Sequence, residues 1–286
     1  MTTDGLVVID KPAGWTSHDA VARCRKVFGQ KKVGHAGTLD PDATGILLVG
    51  LGRATRLLRF LTALPKTYTG EVVLGTETST LDAAGEVTAT HVMDGVTLEQ
   101  ARAAAATLTG DILQVPPMVS AVKVGGQRLH ALARKGEEVE REARPVTVHR
   151  FEVDTTDDPL VLRVEVGCSS GTYIRVLAAD LGHLLGGGAH LRNLRRTAAG
   201  SYAEADAVAL EELTTDRALP MAAAVRDYPS VTLAGEAVDA VRHGRPTDLD
   251  AGEGPVAILD ADGGLLAVYE RSPTGRARAA VVVDPA

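Results

Sequence analysis

Val33-Gly34-His35-Ala36-Gly37-Thr38-Leu39-Asp40-Pro41-Asp42-Ala43-Thr44-Gly45 is the stretch from which the rest of the chain is read outward. Residues 34 to 44 are rich in Gly, Thr, Asp and Pro, which marks a loop between two regular elements. Proline forces the residue before it into extended geometry, so Asp40 is presented at a fixed angle among small neighbours that leave room for a large substrate. On the N-terminal side, Thr16 or Ser17 can cap a helix whose Ala20, Cys24, Val27 and Phe28 recur at helical spacing, with Gly29 suited to the position just past its end. Before that helix, Leu6 to Ile9 reads as a strand ended by Asp10-Lys11-Pro12-Ala13-Gly14. On the C-terminal side follow a strand at Ile46–Val49, a helix near Arg53–Leu61 with Leu57, Leu58 and Leu61 on one face, and a strand at Tyr68–Leu74.

Further along, Thr97 to Leu108 is expected to be a helix with a Thr97…Gln100 capping box and Gly110 beyond its end. Residues 111–150 are less regular. They read as a Pro-rich loop at 114–117, a hairpin turn near Gly125-Gly126, a basic helix from Arg128 to Lys135 and a strand from Val146 to Val153. Leu160 to Val166 alternates as a strand with one wet face does, and Gly167 to Gly171 turns the chain into a helix ending near Gly186. Beyond about residue 225 the pieces shorten: 231–233, a helix at 235–242, and strands near 255–259, 265–270 and 279–283. These read as a small β-rich domain, 226–286, after a larger one at 1–225.

The 286 residues are 45% apolar and 23% charged, the composition of an ordinary globular chain, which excludes disorder and fibrous repeats. No stretch without a charged residue exceeds that of Ile112 to Val122, which is about half of what a membrane-spanning helix needs. The first five residues lack the basic start and apolar core of a secretory signal, and Cys24 and Cys168 are the only cysteines, so a reducing cytoplasm is the expected home. The net charge of −7 alone argues against a nucleic-acid partner. Its distribution argues otherwise: residues 1–66 carry +5 and 121–150 carry +3, while 67–120 carry −6, 151–200 carry −1 and 201–286 carry −8. Such unevenness permits a local polyanion site. With aromatics at 3%, a platform of many stacking rings is not available, and base recognition must use few residues.

Gly167-Cys168-Ser169-Ser170-Gly171 fits the GxSxG pattern of a hydrolase nucleophile elbow between a strand and a helix. A serine triad also needs an acid and a histidine returning to the sheet edge, whereas Asp180 and His183 lie on the helix leading away. The glycines are better read as allowing a tight turn. His35, Asp40 and Asp42 lack the helical pairing or cysteine cluster that would support a metal site. Taken singly, Asp40 reads as a turn starter, Tyr68 and Tyr173 as packing residues with a wet hydroxyl, and Arg175 as a surface charge.

Together, several segments resemble the TruB-type tRNA pseudouridine-55 synthases: Val8–Ser17, Val33–Gly45, Lys66-Thr67-Tyr68, Thr80–Gly85, Gln114–Lys123, Gly171-Thr172-Tyr173-Ile174-Arg175, and Gly188–Leu191 with Leu194-Arg195-Arg196. Order and spacing match across roughly residues 5–200. The resemblance implies an α+β protein with a curved, mainly antiparallel mixed sheet flanked by helices, and a small PUA-like C-terminal domain. It implies an isomerase that converts uridine 55 in the T arm of tRNA to pseudouridine, with no cofactor, metal, membrane or obligate protein partner.

By the same resemblance Asp40 is the nucleophile, Arg175 its ion-pair partner, and Tyr68 the ring that stacks on the target base and can take part in proton transfer. Tyr173 and Leu194 line the uracil pocket, Asp82 contacts displaced nucleotides, and His35 fills the space vacated by the flipped base. Whether Asp40 attacks covalently or assists elimination stays open. Phosphate contacts are expected from Lys11, Lys31, Lys32, Lys123, Arg128 and Arg134, several of them in a basic RNA-contacting insertion at 121–150. The chain departs from the family pattern at His130, often tyrosine, and at Ser170, often lysine. Beyond residue 225 only the short strands and Gly244-Arg245 resemble a PUA domain. A non-catalytic RNA-binding protein on the same scaffold is the competing reading.

Overall fold

A computed structural model describes residues 2–120, 123–124, 127–128, 139–245, 254–272 and 277–284. In chain order the strands are β1 (Gly5–Lys11), β2 (Val33–Ala36), β3 (Thr44–Leu51), β4 (Lys66–Leu74), β5 (Thr76–Thr78), β6 (Val87–Thr90), β7 (Gly110–Gln114), β8 (Lys123–Val124), β9 (Gln127–Arg128), β10 (Arg144–Thr155), β11 (Val161–Cys168), β12 (Ala189–Ala199), β13 (Tyr202–Ala203), β14 (Val208–Ala209), β15 (Ser230–Thr232), β16 (Val256–Leu259), β17 (Leu265–Arg271) and β18 (Ala277–Val282). The helices are α1 (Ser17–Phe28), α2 (Leu58–Ala63), α3 (Leu98–Thr107), α4 (Ile174–Leu184) and α5 (Glu236–Arg242). None among the described residues is long and apolar enough to cross a membrane. The class is α+β, as expected.

The chain forms two units: Met1–Pro41, Gly45–Leu64 and Ala198–Ala286 in one, Asp42–Thr44 and Pro65–Thr197 in the other. In the first, β1 lies between β14, parallel to it, and β3, antiparallel to it, while β2 also pairs with β3. The continuous apolar runs of β1 and β3 serve two cores at once. Leu6, Val8, Ile46 and Leu48 face one cluster, and Val7, Ile9, Leu47 and Val49 face another that also receives Ala20, Val21, Cys24 and Phe28 of α1. A strand buried on both faces cannot show polar alternation.

Local signals set α1 firmly. Thr16 accepts from the backbone N–H of Asp19, whose carboxylate returns to the N–H of Thr16, and Gly29 closes the helix at φ 60°. Asp19 in the first turn and Arg25 and Lys26 in the last match the helix dipole. The helix expected near Arg53 is instead a 3-10 segment, Gly52–Leu57, leading into the shorter α2. It starts from Gly52 at φ 56°, where the N–H is spent on the Lys32 carbonyl and an added Cβ would strike Asp4.

The last strands form a separate sheet in the order β15-β16-β17-β18, still within the first unit. Its Ala257, Val268 and Val281 join the cluster of Leu6 and Val8, while Ile258 and Tyr269 pack with Val241 of α5. Arg53 ties this sheet down, bridging Asp4 at 2.7 Å and the carbonyl of Val283 at 3.0 Å.

In the second unit the strand order is β12-β4-β11-β10-β7, with the pairs from β4 to β7 antiparallel. Its core gathers Val72, Val148, Val164, Val166, Leu177 and Leu181, with α3 and α4 contributing one face. The strands β8 and β9 pair Lys123 with Arg128 across residues 125–126, where the hairpin was expected. Arg128 thus ends a strand, and the rest of the expected basic helix, with His130, Arg134 and Lys135, lies outside the described residues.

Candidate active site

In the first unit, the Asp40 loop is fastened on both sides. The hydroxyl of Ser17 accepts from the N–H of Leu39 at 2.9 Å and donates to the Leu39 carbonyl at 3.2 Å. Beyond Asp40, the Pro41 carbonyl accepts from the N–H of Gly14 at 2.9 Å and from Nζ of Lys11 at 3.0 Å. Asp40 itself is half-buried. His35 on β2 meets His18 of α1 edge to face, their ring centres 5.5 Å apart. Lys31 and Lys32 are exposed on the link between α1 and β2, where a phosphate can reach them.

Lys11 corrects an expectation. It is fully buried, and its ammonium donates to the carbonyls of Pro12 at 2.9 Å, Trp15 at 2.6 Å and Pro41 at 3.0 Å. A group with its donors turned onto three carbonyls inside the protein does not meet RNA phosphate. Lys11 is instead the bolt between the loop after β1 and the loop that carries Asp40.

In the second unit, Arg175 sits in the first turn of α4 and is 4% exposed. Its Nη1 donates to the Thr80 carbonyl at 2.9 Å and lies 3.3 Å from the Asp82 carboxylate, and its Nη2 donates to the Val119 carbonyl at 2.8 Å. The surface charge suggested by Arg175 taken alone is therefore overturned. Asp82 is held by the Thr80 hydroxyl at 2.5 Å and by a bridge to Leu191 of β12, after Leu81 takes the left-handed φ of 63°. A non-glycine residue in that region costs on the order of 1 kcal/mol, which the surrounding hydrogen bonds offset.

Tyr173 caps α4 by its backbone, half-buried next to Arg175. The side chain of Gln114 clasps it, accepting from its N–H at 2.7 Å and donating to its carbonyl at 3.1 Å. Tyr68 stands on β4 opposite Val166, and both Tyr68 and Leu194 are half-buried against the core of this unit. The unit thus brings together Arg175 with Asp82, and places Tyr68 and Leu194 on one apolar cluster. Lys123 and Arg128 are described in backbone only, and Arg134 lies outside the described residues.

Burial lowers the Lys66 ammonium from its ordinary 10.5 to about 8, with Arg196 adding repulsion. Burial likewise raises the Cys168 thiol to about 11, a poor nucleophile at neutral pH. Ser169 uses its hydroxyl to accept from the N–H of Thr147 at 2.9 Å, so the GxSxG turn is a fastening of β10. Among the described residues, no three His, Cys, Asp or Glu side chains are grouped to hold a metal ion.

Sequence reasoning passed over Ser17 and Gln114 as anything more than a cap candidate and a motif letter. Both act on backbone groups 22 and 59 positions away. No local pattern carries such a signal.

The family described as TruB family pseudouridylate synthase (N terminal domain) matches residues 25–174, and the tRNA pseudouridylate synthase B C-terminal domain matches residues 175–225. A tRNA pseudouridine synthase B of Mycobacteroides abscessus is 47% identical over 99% of this chain and 97% of its own length. One of Arthrobacter sp. is 47% identical over 92% of each. Among solved structures, a chain of a Cbf5-Nop10-Gar1 complex is 29% identical, with a TM-score of 0.77, over 98% of this chain and 85% of that one. A chain from an H/ACA RNP bound to a substrate RNA containing 2'-deoxyuridine is 26% identical, with a TM-score of 0.75, over 99% and 85%.

The family matches and the curated relatives therefore define a pseudouridylate synthase, an isomerase that acts on RNA. Within that class, the chain belongs to the TruB family.

Proposed function

We propose that the protein isomerises uridine to pseudouridine in tRNA, at position 55 of the T arm, in the cytoplasm, with Asp40 as nucleophile. The curated relatives named tRNA pseudouridine synthase B support the reaction and the substrate class. The observation that carries the assignment of Asp40 is its loop, pinned at Leu39 and at Pro41 by buried donors and acceptors. A residue fastened on both sides keeps one geometry, which a reaction at a single carbon needs.

The reaction breaks the bond from N1 of uracil to C1′ of the ribose, turns the base, and joins C5 to C1′. C5 loses one proton and N1 gains one, so atoms and charge balance without an outside reagent. In this reading the Asp40 carboxylate meets the electron-poor sugar, either bonding to it or assisting elimination. Arg175 is assigned as the cation that favours the charged form of Asp40. Tyr68 stacks on the base, and its hydroxyl can take part in moving the C5 proton. Tyr173 and Leu194 line the uracil, Asp82 meets the displaced nucleotides, and His35 fills the gap left by the flipped base. Lys31, Lys32, Lys123, Arg128 and Arg134 contact phosphates. Folded RNA loops are recognised largely by shape, so a net acidic chain can bind one through these few cations.

A tRNA transcript carrying cytidine at position 55 tests the site. Pseudouridine forms in the unmodified transcript and not in the variant. Formation at another uridine of the variant, or none in either, contradicts the proposal.

A further inference from the structure

We infer that Ser17 is a positioning residue for Asp40, fixing the backbone that carries the carboxylate; the inference rests on the reading of Asp40 as nucleophile. Ser17 is the first residue of α1, where a hydroxyl is commonly spent on capping. Here Thr16 already performs the cap, together with Asp19. The Ser17 hydroxyl is therefore free of that duty and reaches across 22 positions to Leu39.

The contact is reciprocal. A single buried hydroxyl accepts the N–H and donates to the carbonyl of the same residue, as a paired strand would. Ser17 is 2% exposed and Leu39 is 3% exposed, so water cannot stand in for either bond. Leu39 directly precedes Asp40, and proline follows it, restricting the Asp40 backbone from the other side. With Pro41 held by Gly14 and Lys11, Ser17 fixes the backbone on the Leu39 side of Asp40. Loss of the hydroxyl leaves two buried backbone groups unpaired at the residue next to the nucleophile. Small displacements of a reacting group cost rate far more than they cost binding.

The test is a single-turnover rate of pseudouridine formation, tRNA affinity and Tm for Ser17→Ala, Thr16→Ala and Asp40→Asn in the full chain. Ser17→Ala is expected to slow formation about 10- to 100-fold with tRNA affinity within about twofold of the parent. Thr16→Ala, which removes the neighbouring cap, is expected to lower Tm and keep the rate. Should Ser17→Ala not fold, Ser17→Cys preserves the shape with weaker bonds and is expected to be slowed severalfold at unchanged affinity. The inference is overturned if the folded Ser17 variant keeps the parental rate, if its affinity falls in step with its rate, or if Thr16→Ala slows as much. Asp40→Asn separates the two readings: an active Asp40→Asn defeats the nucleophile assignment, whereas an inactive one beside a fully active Ser17 variant defeats only the role of Ser17.

Discussion

Arg175 Nη1 and Asp82 Oδ2 stand 3.3 Å apart, the arginine side chain 5% exposed and the aspartate 23%. The same guanidinium donates to the carbonyls of Thr80 and Val119, so one planar fork joins α4, the turn at residues 80–82 and the segment ahead of residue 120. Lysine cannot reproduce that fork, because its three donors radiate from one point. Arg175→Lys is expected to lose about 2–4 kcal/mol of stability, since buried carbonyls and a carboxylate lose their partner. Urea unfolding checks the value, and single-turnover assays are expected to show lost activity even at temperatures where the variant is folded. A variant as stable and active as the parent contradicts this role.

Lys11 offers a contrast between two uses of a cation. Because its ammonium is turned onto three carbonyls, Lys11→Met is expected to destabilise the protein by about 3 kcal/mol. The salt dependence of tRNA binding by the folded variant is expected to keep its slope, whereas loss of a phosphate contact would reduce it by roughly one. Denaturant unfolding and binding at several salt concentrations measure the two effects.

Lys66 ties stability to alkaline pH. Its ammonium is lowered from 10.5 to about 8 by burial first and by Arg196 second, so the fold disfavours the charged form. Between about pH 8 and 10.5 the unfolded chain binds the proton that the folded chain has released, and stability from this group rises with pH across that window. The full gain is on the order of 3 kcal/mol. Unfolding of parent and Lys66→Met from pH 7.5 to 10.5 measures it. The difference between them is expected to change by this amount over the window, and a constant difference contradicts the shift.

Much of the fold was legible because its signals are local. A cap at Thr16 or Ser17, the Thr97/Gln100 capping box and Gly29 mark helix ends that tertiary contacts leave in place. The strand β12 was not legible. Its sequence Ala-His-Leu-Arg-Asn-Leu-Arg-Arg-Thr-Ala-Ala carries three arginines, and one of them, Arg196, is 1% exposed. A buried cation in a strand defeats any reading based on apolar alternation. Asp40, Tyr68, Arg175 and Asp82 were read as a site only as a set, through the family resemblance, since each alone has an ordinary explanation. Lys11 was misread because sequence gives a cation's presence but not whether its donors face solvent or backbone carbonyls. The burial of Lys11 comes from strand β1, buried on both sides, and from the loop folded over its end.

The most direct test of the account uses a T-arm transcript tritiated at C5 of the target uridine, incubated with the parent protein and with Asp40→Asn. The parent is expected to release tritium as C5 is joined to the sugar, and the variant to bind the RNA without releasing it. Release by both proteins, or by neither while RNA binding is intact, would contradict the assignment of Asp40 as the nucleophile.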